Sequence, residues 1–101
     1  MHPLLEKNRE NIAELCRAHH VHRLSVFGSA ARDDFDPEHS DLDFLVEFTE
    51  DGRRRLRNYF SFSDALQHLL CRRIDLVSER AVRNEYFLRA VSADKQLIYA
   101  A

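Results

Sequence analysis

Two short stretches, Val26-Phe27-Gly28-Ser29-Ala30-Ala31-Arg32 and Ser40-Asp41-Leu42-Asp43-Phe44-Leu45-Val46-Glu47-Phe48, decide the fold. In the second, Leu42, Phe44, Val46 and Phe48 alternate with Asp41, Asp43, Leu45 and Glu47. That period of two predicts a strand over 42–48 with one apolar face. Asp41 and Asp43 then share the opposite face, with Cα atoms about 6–7 Å apart. In the first stretch, Leu24-Ser25-Val26-Phe27 reads as a short strand stopped by Gly28, and Ser29–Arg32 as a short helical turn.

The flanking chain supplies helices for this pair of strands. From Pro3 to about His19, Leu5, Ile12, Leu15 and Cys16 fall near helical spacing, and Pro3 suits a first turn. His19, His20 and His22 follow it. Neutral imidazoles are metal ligands, but histidines at a helix C-terminus also interact favourably with its dipole, and the second reading is preferred here. The acidic loop over 33–40 invites a calcium reading, which fails because Asp41 stands where an EF-hand loop beginning at Asp36 needs glycine. Thr49–Gly52 reads as a turn. Residues 53–70 read as helix, either continuous or restarted by Ser61 or Ser63 as an N-cap. Arg72–Val77 reads as a third strand, Ser78 as the cap of a last helix to about Ala93, and Gln96–Tyr99 as a short edge strand. The inner face of the last helix falls to Val82, Tyr86 or Phe87, and Val91. This order predicts an α/β (α+β) fold, a small mixed sheet flanked by helices, over residues 1–101 as one domain.

The totals narrow the function. Among 101 residues, 45% are apolar and 32% charged, which suits a folded domain with one modest core. A net charge of −2 argues against general polyanion binding, so no direct nucleic-acid contact is expected. No apolar run approaches the roughly 20 residues that span a bilayer, and Met1–Lys7 lacks the apolar core of a signal peptide, so the expectation is a cytoplasmic protein without a membrane contact. Cys16 and Cys71 are read as small buried residues in a reducing compartment.

A lone D-x-D is more often turn decoration than chemistry. Asp75 alters that balance, because it interrupts the core-like run Ile74-Asp75-Leu76-Val77. If the third strand pairs with the second in register, Asp41, Asp43 and Asp75 converge, and carboxylates held together call for a divalent cation such as Mg²⁺. Such ions polarise phosphoryl oxygens and activate an attacking hydroxyl. Gly28 lets the backbone approach a ligand, and Ser29 adds a hydroxyl and exposed N–H groups suited to a triphosphate. With two glycines in the chain, neither a P-loop nor a G-x-G-x-x-G fingerprint can be built. Arg32 either reaches a phosphate or faces solvent. The arginines at 53, 54, 55 and 57 read as a solvated face or a partner contact, and Glu47 as a structural ion pair.

Taken as a set, Phe27–Arg32, Ser40–Phe48 and Arg73-Ile74-Asp75-Leu76-Val77 resemble the minimal nucleotidyltransferases of the DNA polymerase β superfamily. The resemblance covers most of residues 24–77. It implies a small nucleotidyltransferase fold using Mg²⁺ and a nucleoside triphosphate, usually ATP. Gly28 and Ser29 match the phosphate-holding turn, Asp41 and Asp43 the metal-binding pair, and Asp75 the third acid, which helps activate the acceptor. Eleven residues separate Ser29 from Asp41, one more than the spacing commonest in the minimal branch. Larger members add a domain that holds the acceptor, which is not expected in this chain. The resemblance extends to the antitoxin of HEPN/MNT toxin–antitoxin pairs, implying AMP transfer to a tyrosine of a partner HEPN toxin within a hetero-oligomer. The alternative is a non-catalytic nucleotide- or partner-binding module that neutralises by contact. A third reading is transfer to a small-molecule alcohol.

Overall fold

The computed structural model describes residues 2–32, 41–49, 55–79 and 84–101, with the backbone alone described at positions 32 and 55. The N-terminal amphipathic segment forms two helices, α1 (Pro3–Lys7) and α2 (Arg9–Ala18), where one was expected. Asn8 divides them. Its backbone N–H and its side-chain amide both donate to the Leu4 carbonyl, at 3.3 and 2.8 Å, while its own carbonyl accepts from Ile12. A residue whose side chain competes for backbone partners closes one helix and opens the next.

Among the described residues, four strands follow the expected order: β1 (Val21–Phe27), β2 (Leu42–Phe48), β3 (Ile74–Ser78) and β4 (Gln96–Ala100). They form one mixed sheet in the order β3-β2-β1-β4. β1 pairs antiparallel with β2 and β4, and β2 pairs parallel with β3. The parallel pair needs a crossover, and α4 (Arg55–Leu70) supplies it. The one-helix alternative therefore holds, with Ser61 and Ser63 inside it. β1 starts three residues before the expected Leu24, because exposed His22 and Arg23 hide its alternation and the register shifts between Val21 and Arg23.

The core lies between one face of the sheet and α1, α2 and α4. Leu5, Ile12, Leu24, Val26, Leu42, Phe44, Val46, Phe62 and Leu66 are fully enclosed there. Each large apolar side chain buried this way contributes about 1.5–3 kcal/mol. His19 ties α2 to α4, its Nδ1 on the Leu15 carbonyl and its Nε2 on Ser61 Oγ, with the ring tilted against Phe62.

α5 (Glu85–Asp94) starts later than expected. Ser78 is the last residue of β3, and the cap is Asn84, whose Oδ1 accepts from the N–H groups of Tyr86 and Phe87 at 2.9 and 3.2 Å. Val82 lies outside the described residues, as do the loop over 33–40, the turn over 50–52, Arg53 and Arg54. Phe87 meets Phe27 edge-on while Tyr86 is 87% exposed, which decides between the two. Asn84→Ala is expected to cost about 1 kcal/mol, read as a lower urea midpoint.

The cysteines differ, contrary to expectation. Cys16 is buried, and burial pushes its thiol up to about 12, with nearby Arg17 opposing. Cys71 is exposed and follows the last residue of α4, with φ 54°. A maleimide at pH 8 should label Cys71 and spare Cys16 in the native protein, and label both in denaturant, as mass spectrometry of the peptides would show. Among the described residues, no helix is long and apolar enough to cross a membrane.

Candidate active site

The alternation that buries Phe44 and Leu76 against the helices turns their neighbours to the opposite face of the sheet. In the β2–β3 register, Phe44 pairs with Leu76 and Asp43 with Asp75. Laterally paired residues share a face on strands about 4.8 Å apart, so Asp43 and Asp75 stand side by side. Asp43 is half-buried and Asp75 exposed. On the other side of β2, Asp43 pairs with Phe27, the last residue of β1. The chain turns at Gly28 there, which brings the glycine against the acid.

Gly28 holds φ 73°, a left-handed backbone that glycine adopts without steric cost. A Cβ at this position would stand 2.5 Å from Asp43 Oδ2. Both the turn and the close approach therefore require glycine. The following helix, α3 (Ser29–Arg32), is one turn long and is tied down at its far end. The Ala30 carbonyl accepts from the His2 N–H at 3.2 Å, and the Ala31 carbonyl from Gln96 Nε2 at 3.1 Å. Ala30 and Ala31 are buried, while Ser29 is partly exposed. The side chain of Arg32 lies outside the described residues.

Asp41 immediately precedes β2, and Arg73 immediately precedes β3. Arg73 Nε lies 3.7 Å from Asp41 Oδ1, with the two side chains 85% and 49% exposed. A contact that open contributes little to stability and yields readily to a stronger counter-charge. Among the described residues, no three His, Cys, Asp or Glu side chains are gathered as a ligand set. Mg²⁺ does not require one, since it commonly binds one or two carboxylates and completes its shell with water and substrate phosphates. The oxygen donors of Asp43 and Asp75, paired in register, suit such an ion in chemistry, while Asp41, just before β2, has Arg73 as its contact. Glu47, farther along β2, is 2.6 Å from Arg23 Nη2, the structural ion pair expected of it.

A family model for the nucleotidyltransferase domain matches residues 9–98. The chain belongs to this family. A relative from Methanocaldococcus jannaschii, named as a candidate protein adenylyltransferase, is 30% identical over 101 residues, covering 92% of this chain and 98% of the relative. A solved structure described as a candidate minimal nucleotidyltransferase is 39% identical, with a TM-score of 0.76 and coverage of 91% of this chain and 90% of its own. The fold also matches a chain from the solved complex of a tri-AMPylated Shewanella oneidensis HEPN toxin with an MNT antitoxin, at TM-score 0.67 and 17% identity, covering 95% and 72% of the two chains.

Two features of this nucleotidyltransferase were not legible as parts of the site. Arg73 has no role that the motif itself assigns, and its contact with Asp41 depends on two strands that begin at the same end of the sheet. Tyr59 fits the apolar stripe of α4, a pattern that gives its hydroxyl no role. Its hydroxyl in fact donates to the Leu76 carbonyl, next to Asp75.

Proposed function

We propose that this nucleotidyltransferase moves AMP from ATP to a tyrosine hydroxyl of a HEPN-type toxin, with Mg²⁺, and acts as its antitoxin within a hetero-oligomer. One observation carries the reading. The β2–β3 register sets Asp43 beside Asp75, while the Gly28 turn presses against the Asp43 carboxylate. The family membership supports nucleotidyl transfer, and the name of the Methanocaldococcus relative supports a protein acceptor. The likeness to the Shewanella complex supports a HEPN partner.

Asp41, Asp43 and Asp75 would hold the cation. When bound, it would neutralise phosphate charge and favour the ionised form of the attacking hydroxyl. Gly28 allows the backbone to approach the triphosphate, Ser29 offers its hydroxyl, and Arg32 adds a positive charge. The acceptor oxygen forms a bond to the α-phosphorus as the bond to pyrophosphate breaks, and the hydroxyl proton passes to the exposed Asp75. Positioning and electrostatics supply most of the acceleration in chemistry of this kind.

The test is intact-mass measurement of a HEPN-type toxin incubated with the chain, ATP and Mg²⁺. One or more AMP increments mapping to tyrosine support the proposal. No increment under conditions where the two proteins bind would overturn it.

A further inference from the structure

Among the described residues β3 is an edge strand, with β2 on one side and no strand on the other. Its backbone groups alternate between those two sides. The Arg73 carbonyl accepts from the Leu42 N–H at 3.3 Å, and the Glu79 N–H donates to the Val46 carbonyl at 2.8 Å, so the odd-numbered residues turn their backbone groups toward β2. The carbonyl of Leu76 therefore points outward, away from the sheet. An outward carbonyl on an edge strand is open to water or to another chain.

Here it is taken by Tyr59. This residue lies in α4, three residues before the fully buried Phe62 and seven before Leu66, and packs against the core with its ring edge-on to Phe60. Its hydroxyl reaches past the sheet face and donates to the Leu76 carbonyl. Burial, and after it the charge of Asp75, push the phenol above its ordinary range, so the donor keeps its proton at neutral pH. β3 is five residues long, and α4 is the helix that leads into it. The hydroxyl thus pins a short edge strand at the residue following the acid.

We propose that Tyr59 is a positioning residue for the active site, its bond to the Leu76 carbonyl holding β3 so that Asp75 stays opposite Asp43. The proposal rests on the reading of Asp43 and Asp75 as cation ligands. Groups that orient metal ligands typically carry tenfold or greater effects on metal affinity, although they touch no metal themselves. Phenylalanine at position 59 keeps the ring and its packing and removes only the donor.

The test is a Mn²⁺ titration of the full chain with AMP-PNP, with free Mn²⁺ followed by electron paramagnetic resonance. Four proteins are compared: wild type, Tyr59→Phe, Phe60→Ala and Asp75→Asn. Wild type should take up Mn²⁺, and Asp75→Asn should lose most of that uptake. Tyr59→Phe should bind about tenfold more weakly with an unchanged circular dichroism spectrum. Phe60→Ala, which strips the ring beside Tyr59 and leaves the hydroxyl, should bind as wild type does. Wild-type affinity in Tyr59→Phe would overturn the proposal, and so would an equal loss in Phe60→Ala, which would assign the effect to helix packing. Absence of nucleotide-dependent uptake by wild type would instead remove the cation site itself, and the positioning role with it.

Discussion

Asp43→Asn is expected to lower AMP transfer by about 10³-fold, at the upper end of what removing one charge-stabilising group costs. Asp43 is the residue on which the site converges, since β3 presents Asp75 to it from one side and the Gly28 turn meets it from the other. The amide keeps the shape and one carbonyl oxygen but gives up the negative charge a cation requires. The fold should survive, because the core face of β2 is formed by Leu42, Phe44, Val46 and Phe48, which the change does not touch. Replacing one of two adjacent carboxylates also relieves their mutual repulsion. The melting temperature should therefore stay near that of wild type, and binding to a HEPN-type toxin should persist. A variant that binds and still transfers AMP at the wild-type rate would remove Asp43 from the chemistry. A variant that transfers nothing yet still neutralises the toxin would favour control by contact.

Gly28→Ala is expected to damage both activity and stability. The added methyl would stand 2.5 Å from Asp43 Oδ2, in a backbone at φ 73° that alanine adopts only with strain. Holding a residue in that region costs about 1–3 kcal/mol. The strain is relieved only by moving the turn or the carboxylate. Either movement displaces a group of the proposed site, and a shift of about 1 Å is enough to cost roughly 10²-fold in rate. Thermal unfolding and a transfer assay on the same preparation should show both losses. Wild-type activity in Gly28→Ala would mean that the close approach of turn and acid has no functional role.

These two predictions draw on features that were legible to different degrees. The strand over 42–48 and the shared face of Asp41 and Asp43 follow directly from a period of two, because one side of that strand is core and the other is not. The placement of Asp75 opposite Asp43 does not follow from β3 alone. It requires the parallel register, which is set by the whole crossover through α4. The start of α5 is not legible, because Ser78 has the chemistry of a cap but the backbone of a strand end, and the cap, Asn84, lies six residues later. Tyr59 was illegible for another reason. A tyrosine in a helical stripe satisfies the apolar pattern whether or not its hydroxyl has a distant partner, and its partner here is a backbone carbonyl that carries no sequence signal at all.

The exposed contact between Arg73 and Asp41 bears on the same site. A guanidinium beside Asp41 offsets part of the negative charge at this end of the sheet, where Asp43 and Asp75 are paired. A divalent cation held as proposed would compete for the same oxygen, and the contact is open enough for that exchange to cost little.

The most direct measurement of the site as a whole is paramagnetic broadening of the backbone amide spectrum by Mn²⁺ added with AMP-PNP. If Gly28, Asp43 and Asp75 form one cation–nucleotide site, their amides and those of Ser29 and Asp41 should broaden first, while α2, on the other face of the sheet, stays sharp. Broadening centred on His19–His22, or on residues of α4 away from Tyr59, with Gly28, Asp43 and Asp75 unaffected, would contradict it.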